Sequence, residues 1–206
     1  MDGIIFDMDG TLWDASDEVA HSWNVVLKEK NINRVITGKD MRACMGMLMD
    51  DIIDKLLPKV DEAEREAVKL DIFNEEHEYL AANGGKLYPE IEDTLQYLSE
   101  KYELFIVSNC QDGYIQSFFK AHGLEKYFAD FECAGSTGLN KNENILLLAH
   151  RNGLSKYAYV GDTYTDMKSA KDAGAQFVYA SYGFGKVDES DCDYVIENLN
   201  ELKEIF

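Results

Sequence analysis

The chain has 206 residues, 46% of them apolar, enough to close one sizeable core or a core plus a smaller insertion. Its 39 Asp and Glu against 20 Lys and Arg give a net charge of −19, which argues against nucleic acid or an anionic membrane surface as a partner. No apolar run reaches the roughly 20 residues of a membrane helix, the start lacks the parts of a signal peptide, and Cys44, Cys110, Cys133 and Cys192 lack metal-ligand spacing. A reduced, cytoplasmic setting is the expectation.

The first element is the apolar run Ile4-Ile5-Phe6, too short for a helix and bounded by turn formers. It reads as a buried strand of the parallel-sheet kind. Asp7 stands where the strand runs out, Asp9 follows two residues later, and Gly10 allows a sharp turn. Carboxylates so close repel each other unless a cation or a shared proton intervenes. Mg²⁺ is a hard ion that takes carboxylate oxygens and suits the pair. The carboxyl ends of strands are also where doubly wound sheets bind ligands.

The pattern then turns helical. Ser16 is a candidate N-cap, with Asp17 and Glu18 in the first turn and Val19, Trp23, Val26 and Leu27 on one face. Thr37-Gly38-Lys39-Asp40 offers a second helix start of the capping-box kind, and residues 50–57 continue helically to Pro58. A third helix over residues 62–82 carries Val68, Ile72, Tyr79 and Leu80 on one side and stops at Asn83-Gly84-Gly85. Residues 14–85 therefore form an all-helical block inserted after the first strand.

From Leu87 helices and strands alternate. Helices are predicted at 91–101, 115–122, 143–152, 167–173 and 199–206. Strands are predicted at 104–107, 131–134, 157–160, 177–180 and 194–196. The first of these strands ends at Ser108 and the third at Gly161-Asp162, and Gly123 is a helix C-cap. This alternation implies right-handed crossovers and an α/β fold with a doubly wound parallel sheet.

Phe6-Asp7-Met8-Asp9-Gly10-Thr11-Leu12 resembles the first motif of the haloacid dehalogenase superfamily of phosphatases. The other motifs of that family follow in order. Ile106-Val107-Ser108-Asn109 is similar to the second, and Lys141 in Gly138-Leu139-Asn140-Lys141-Asn142 to the third. Tyr159-Val160-Gly161-Asp162-Thr163-Tyr164-Thr165-Asp166-Met167 is similar to the fourth. The likeness covers essentially the whole chain, including Tyr182-Gly183-Phe184-Gly185. It departs at Asn142, where the family often has Pro; Lys126 and Lys156 fit the family spacing less well than Lys141.

The resemblance implies a Rossmann-like core of residues 1–14 and 86–206 and a helical cap of residues 15–85, as in the phosphoglycolate-phosphatase-like branch. Hinges are expected near 12–15 and 84–87. Asp7 would be the nucleophile, Asp9 the general acid and base, and Lys141 a fixed positive charge. Gly10, Thr11, Ser108 and Asn109 would hold the phosphate. Asp7, Asp9 through its backbone carbonyl, and Asp162 would bind Mg²⁺, with Asp166 holding an outer water or orienting Lys141. The implied activity is Mg²⁺-dependent hydrolysis of a small phosphate monoester, of the phosphoglycolate or sugar-phosphate class, through an aspartyl-phosphate. The partner expected is a small phosphorylated metabolite, met by a monomer or weak dimer. A hexose-phosphate mutase is the nearest rival, and a phospho-accepting receiver a distant one. In relatives a cap loop reaches the leaving group; here that is near residues 44–49, with Arg42 as the alternative specificity residue.

Overall fold

A computed structural model describes residues 1–206, the side chain of Glu62 excepted. In chain order the strands are β1 (Gly3–Phe6), β2 (Trp13–Asp14), β3 (Lys86–Leu87), β4 (Glu103–Ser108), β5 (Phe128–Cys133), β6 (Tyr157–Gly161), β7 (Gln176–Ala180) and β8 (Tyr194–Ile196). The helices are α1 (Ser16–Glu29), α2 (Gly38–Arg42), α3 (Met49–Leu56), α4 (Glu62–Asn83), α5 (Ile91–Ser99), α6 (Tyr114–His122), α7 (Ala134–Thr137), α8 (Lys141–Arg151), α9 (Tyr164–Asp172) and α10 (Leu202–Ile205).

The expected doubly wound sheet is present. Six parallel strands lie in the order β5-β4-β1-β6-β7-β8. The chain fills one side of β1 with β4 and β5, then crosses to the other side with β6, β7 and β8. β1 is thus where the strand order reverses, and a crevice opens at the carboxyl ends of such strands. Phe6 pairs with Ile106 on one side and Val160 on the other, so Ser108 and Asp162 leave the sheet at one level, one residue beyond Asp7.

Both faces of β1 are covered, which explains its unbroken apolar run. Ile5, Phe105, Val107 and Tyr159 point to one face, beneath Ile145 and Leu148 of α8 and Met167 and Ala170 of α9. Ile4, Phe6, Ile106 and Val160 point to the other, in a core that includes Leu95 of α5 and Phe118 of α6 and runs on into α1 and α4.

Helices α1 to α4 leave and re-enter the sheet through β2 and β3, an antiparallel pair with Trp13 opposite Leu87 and Asp14 opposite Lys86. Two residues per strand carry no alternation to detect, and this ribbon was not expected from the sequence. Other differences sit at element ends. Ser16 is the first residue of α1 rather than its cap: Ala15 holds the cap position without a side-chain bond, and the Asp14 carboxylate accepts from the Ser16 N–H at 3.0 Å. β5 begins three residues before the predicted start, and the predicted final helix is a 3₁₀ turn at Leu199–Glu201 followed by α10. α8 begins at Lys141 rather than Glu143. Asn140 is its N-cap, and the Glu143 carboxylate accepts from the Asn140 N–H at 2.9 Å.

Candidate active site

Asp7 is the last residue still tied to the sheet, its N–H donating to the Val160 carbonyl at 2.8 Å. Beyond it the chain turns on the Met8 carbonyl, which accepts from the N–H groups of Thr11 at 3.0 Å and Leu12 at 2.8 Å. The turn needs Gly10 twice over. Its φ of +86° is left-handed, and a Cβ there would run into the Asp162 carboxylate. Gly183 is pressed just as closely between Asp162 and the Gly10 carbonyl.

Lys141 opens α8 and reaches back to the end of β1. Its Nζ donates to Asp7 Oδ1 at 2.8 Å and to Asp166 Oδ1 at 2.6 Å, and all three side chains are at most 3% exposed. Asp166 is fixed from its own helix. Its Oδ2 accepts from the Thr163 N–H at 2.9 Å and hydroxyl at 2.6 Å, the capping box of α9, so Oδ1 faces the lysine. The Tyr159 hydroxyl donates to the Val107 carbonyl at 2.9 Å and lies 3.4 Å from Asp166 Oδ1. Asp162 Oδ2 accepts from the N–H of Phe184 at 2.7 Å and of Gly185 at 3.2 Å, which gives the Tyr182-Gly183-Phe184-Gly185 turn its purpose.

Carboxylate oxygens of Asp7, Asp162 and Asp166 lie within 4.8 Å of one another. Burial, then the nearby Asp166 charge, push Asp7 up to about 6 despite Lys141. Burial, then Asp166 and Asp7, push Asp162 up to about 8. Burial opposes the charge on Lys141, but Asp166 and Asp7 overcome it and hold the ammonium well above its ordinary range. Three buried carboxylates therefore share one cation. An all-oxygen donor set with uncompensated negative charge fits a hard divalent ion.

Asp9 faces a cavity. The Tyr114 hydroxyl of α6 donates to its Oδ1 at 2.8 Å, and burial, then Asp7, raise its carboxyl to about 8. Ser108, Asn109 and Cys110 continue the floor. Ser108 Oγ accepts from the Cys110 N–H at 3.3 Å. Asn109 Nδ2 donates to the Gly46 carbonyl of the helical insertion at 2.8 Å, while its buried Oδ1 has no partner among the described residues. Thr11 is fully buried, its hydroxyl 3.5 Å from Asp162 and its carbonyl accepting from the Tyr182 hydroxyl at 2.8 Å.

The insertion roofs this cavity with Met45, Gly46, Met47 and Met49, and with Trp23 and Glu76 from α1 and α4. Arg42 does not line it. Its guanidinium pairs with Asp14 at 3.0 Å and Asp17 at 3.2 Å near the β2–β3 ribbon. Of the three lysines considered, Lys126 is exposed and paired with Glu92 at 2.9 Å, and Lys156 is exposed. Only Lys141 reaches Asp7. Sequence reasoning missed Tyr114, Tyr159 and Glu76. For Glu76 a signal existed. Val68, Ile72, Glu76 and Leu80 fall at intervals of four along α4, a carboxylate inside an otherwise apolar stripe.

A family model described as haloacid dehalogenase-like hydrolase matches residues 4–180. Phosphoglycolate phosphatase of Vibrio parahaemolyticus is 26% identical over 217 residues, covering 98% of this chain and 94% of its own. Phosphoglycolate phosphatase of Escherichia coli K12 is 27% identical over 228 residues, covering 97% and 90%. Among solved structures, a haloacid dehalogenase-like hydrolase from Streptococcus pneumoniae superposes with a TM-score of 0.84 at 22% identity over 100% of this chain and 98% of its own. A predicted phosphoglycolate phosphatase from Haemophilus somnus gives 0.84 at 23% identity, covering 98% and 96%. Those two structural likenesses speak for the fold. The match over residues 4–180 makes the chain an enzyme of the haloacid dehalogenase-like hydrolase family, similar along nearly its whole length to phosphatases.

Proposed function

We propose that the protein is a Mg²⁺-dependent phosphatase that hydrolyses small phosphate monoesters, of the phosphoglycolate or sugar-phosphate class, through an aspartyl-phosphate intermediate. The observation that carries this reading is Asp7 at the carboxyl end of the central strand, gripped by Lys141 at 2.8 Å beside the carboxylates of Asp162 and Asp166. Residues 1–14 and 86–206 act as the catalytic core and residues 15–85 as its cap.

In the first step Asp7 attacks phosphorus in line and the bond from phosphorus to the leaving oxygen breaks. Asp9 gives that oxygen its proton. A carboxyl raised to about 8 holds a proton at neutral pH, as a general acid must, and Tyr114 aims it. In the second step Asp9, now a carboxylate, takes a proton from water. The water oxygen attacks phosphorus, the bond to Asp7 breaks, and inorganic phosphate leaves. Lys141, Ser108, Asn109 and the turn at Gly10-Thr11 hold the phosphoryl oxygens. Asp7, Asp162 and the Asp9 backbone carbonyl would hold Mg²⁺, with Asp166 orienting Lys141; the ion supplies charge neutralisation at the phosphoryl group.

A mutase must retain a second phosphate, and among the described residues no Lys or Arg lines the cavity that holds Asp9, so hydrolysis is the better reading. No helix among the described residues is long and apolar enough to cross a membrane, and the four free cysteines support a reduced, cytoplasmic setting. The protein acts as a monomer or weak dimer. The test is release of phosphate from p-nitrophenyl phosphate with Mg²⁺, with chelator, and in Asp7→Asn. Activity lost under both treatments is expected; full activity in Asp7→Asn would assign the nucleophile elsewhere.

A further inference from the structure

Glu76 enters the cavity from α4, on the side of the insertion and opposite the end of the sheet. It is 3% exposed. Its Oε2 accepts from the Trp23 indole N–H at 2.6 Å, and its Oε1 has no hydrogen bond among the described residues. A buried carboxylate is costly without a cation or further donors, and no Lys or Arg lines this cavity. If its only duty were to satisfy Trp23, a neutral glutamine would serve at lower cost.

The cavity that holds Asp7 and Asp9 opens toward the insertion. With phosphorus at Asp7 and the leaving oxygen at Asp9, the rest of the molecule extends toward the insertion. There it meets the apolar side chains of Met45, Met47 and Met49 and the Glu76 carboxylate.

We propose that Glu76 is a specificity-determining residue that selects leaving groups bearing hydroxyl or ammonium donors and rejects those bearing a carboxylate or a second phosphate. This rests on the phosphatase reading and narrows it, toward polyol, sugar and amino-alcohol phosphates and away from phosphoglycolate. A hydroxyl or ammonium supplies the donor that Oε1 lacks, and the bond is charge-assisted. A second anion would lie against a carboxylate and methionines, with no Lys or Arg in the cavity lining to neutralise it. Burial raises the Glu76 carboxyl to about 7, so pH 8 is the condition at which its charge is present.

The experiment compares kcat/KM at pH 8 with Mg²⁺ for glycerol 3-phosphate, phosphoethanolamine and 2-phosphoglycolate, in wild type and Glu76→Gln. Wild type should favour the first two over phosphoglycolate by about ten-fold or more. Glu76→Gln should narrow the ratio of phosphoethanolamine to phosphoglycolate by about ten-fold or more, since both the attraction and the repulsion go. Glycerol 3-phosphate should change less, because its hydroxyls can accept from the glutamine Nε2–H that faces the cavity once the amide oxygen takes the Trp23 indole. A wild-type preference for phosphoglycolate, or an unchanged ranking in a folded Glu76→Gln, overturns the inference alone. If Glu76→Gln does not fold, the wild-type ranking decides. Absence of Mg²⁺-dependent turnover on every monoester, p-nitrophenyl phosphate included, overturns the phosphatase reading and this inference with it.

Discussion

At the residue scale, Lys141 and Glu76 are opposite solutions to buried charge. Lys141 sits between two carboxylates, so its ammonium is neutralised in place. Lys141→Met fills the same space without the charge, and kcat should fall on the order of 10² to 10³, the loss usual for one charge-stabilising donor. Unchanged steady-state kinetics would remove Lys141 from the machinery, and neither Lys126 nor Lys156 is placed to replace it. Glu76 has no cation, and burial raises its carboxyl from 4.5 to about 7. The folded protein therefore binds this proton more tightly than the unfolded chain, and the related stability is complete below pH 4.5 and lost as pH rises through 7. Glu76→Gln removes that dependence. Its unfolding free energy should exceed that of wild type by about 3 kcal/mol at pH 8 and approach it near pH 4.5. Denaturant titrations at the two pH values check this, and equal differences at both would mean Glu76 keeps an ordinary pKa.

At the element scale, the N-terminus of α9 joins capping to the site. Thr163 and Asp166 form a capping box, a local device visible in the sequence spacing, and the same Asp166 grips Lys141 with its other oxygen. Thr163→Ala should cost about 1 kcal/mol of stability as a lost cap. It should also lower kcat more than it raises KM, because Asp166 is released from the orientation that holds Lys141. Thr163→Ser, which keeps the hydroxyl, should restore both. A stability loss with kcat untouched would make the cap merely structural. Elements of this kind were legible wherever caps and periodicity are local: Thr37 begins α2, Gly123 ends α6, and α4 runs from Glu62 almost as expected. The β2–β3 ribbon was not legible, since two residues per strand have no period and their partners are about seventy residues apart.

At the scale of the whole molecule, the insertion and the sheet enclose the cavity that holds Asp9, with Asn109 donating to Gly46 across the gap. Arg42 was the natural alternative for specificity on charge alone. The structure turns it to Asp14 and Asp17 at the base of the insertion. Arg42→Ala should leave the ranking of substrates unchanged and cost under about 1 kcal/mol, as for other exposed ion pairs. A changed ranking in the same monoester panel would return Arg42 to the site. The sequence by itself determined the alternation of strands and helices, the buried central strand, and the placement of Asp7, Ser108 and Asp162 at strand ends. Each of these follows from apolar runs and turn chemistry within a few residues. Only the tertiary structure decided which lysine meets Asp7, 134 residues away, which hydroxyl holds Asp9, 105 residues away, and which indole meets Glu76, 53 residues away. Such contacts depend on how elements pack and which way a side chain leaves its helix, and neither leaves a period in the local pattern.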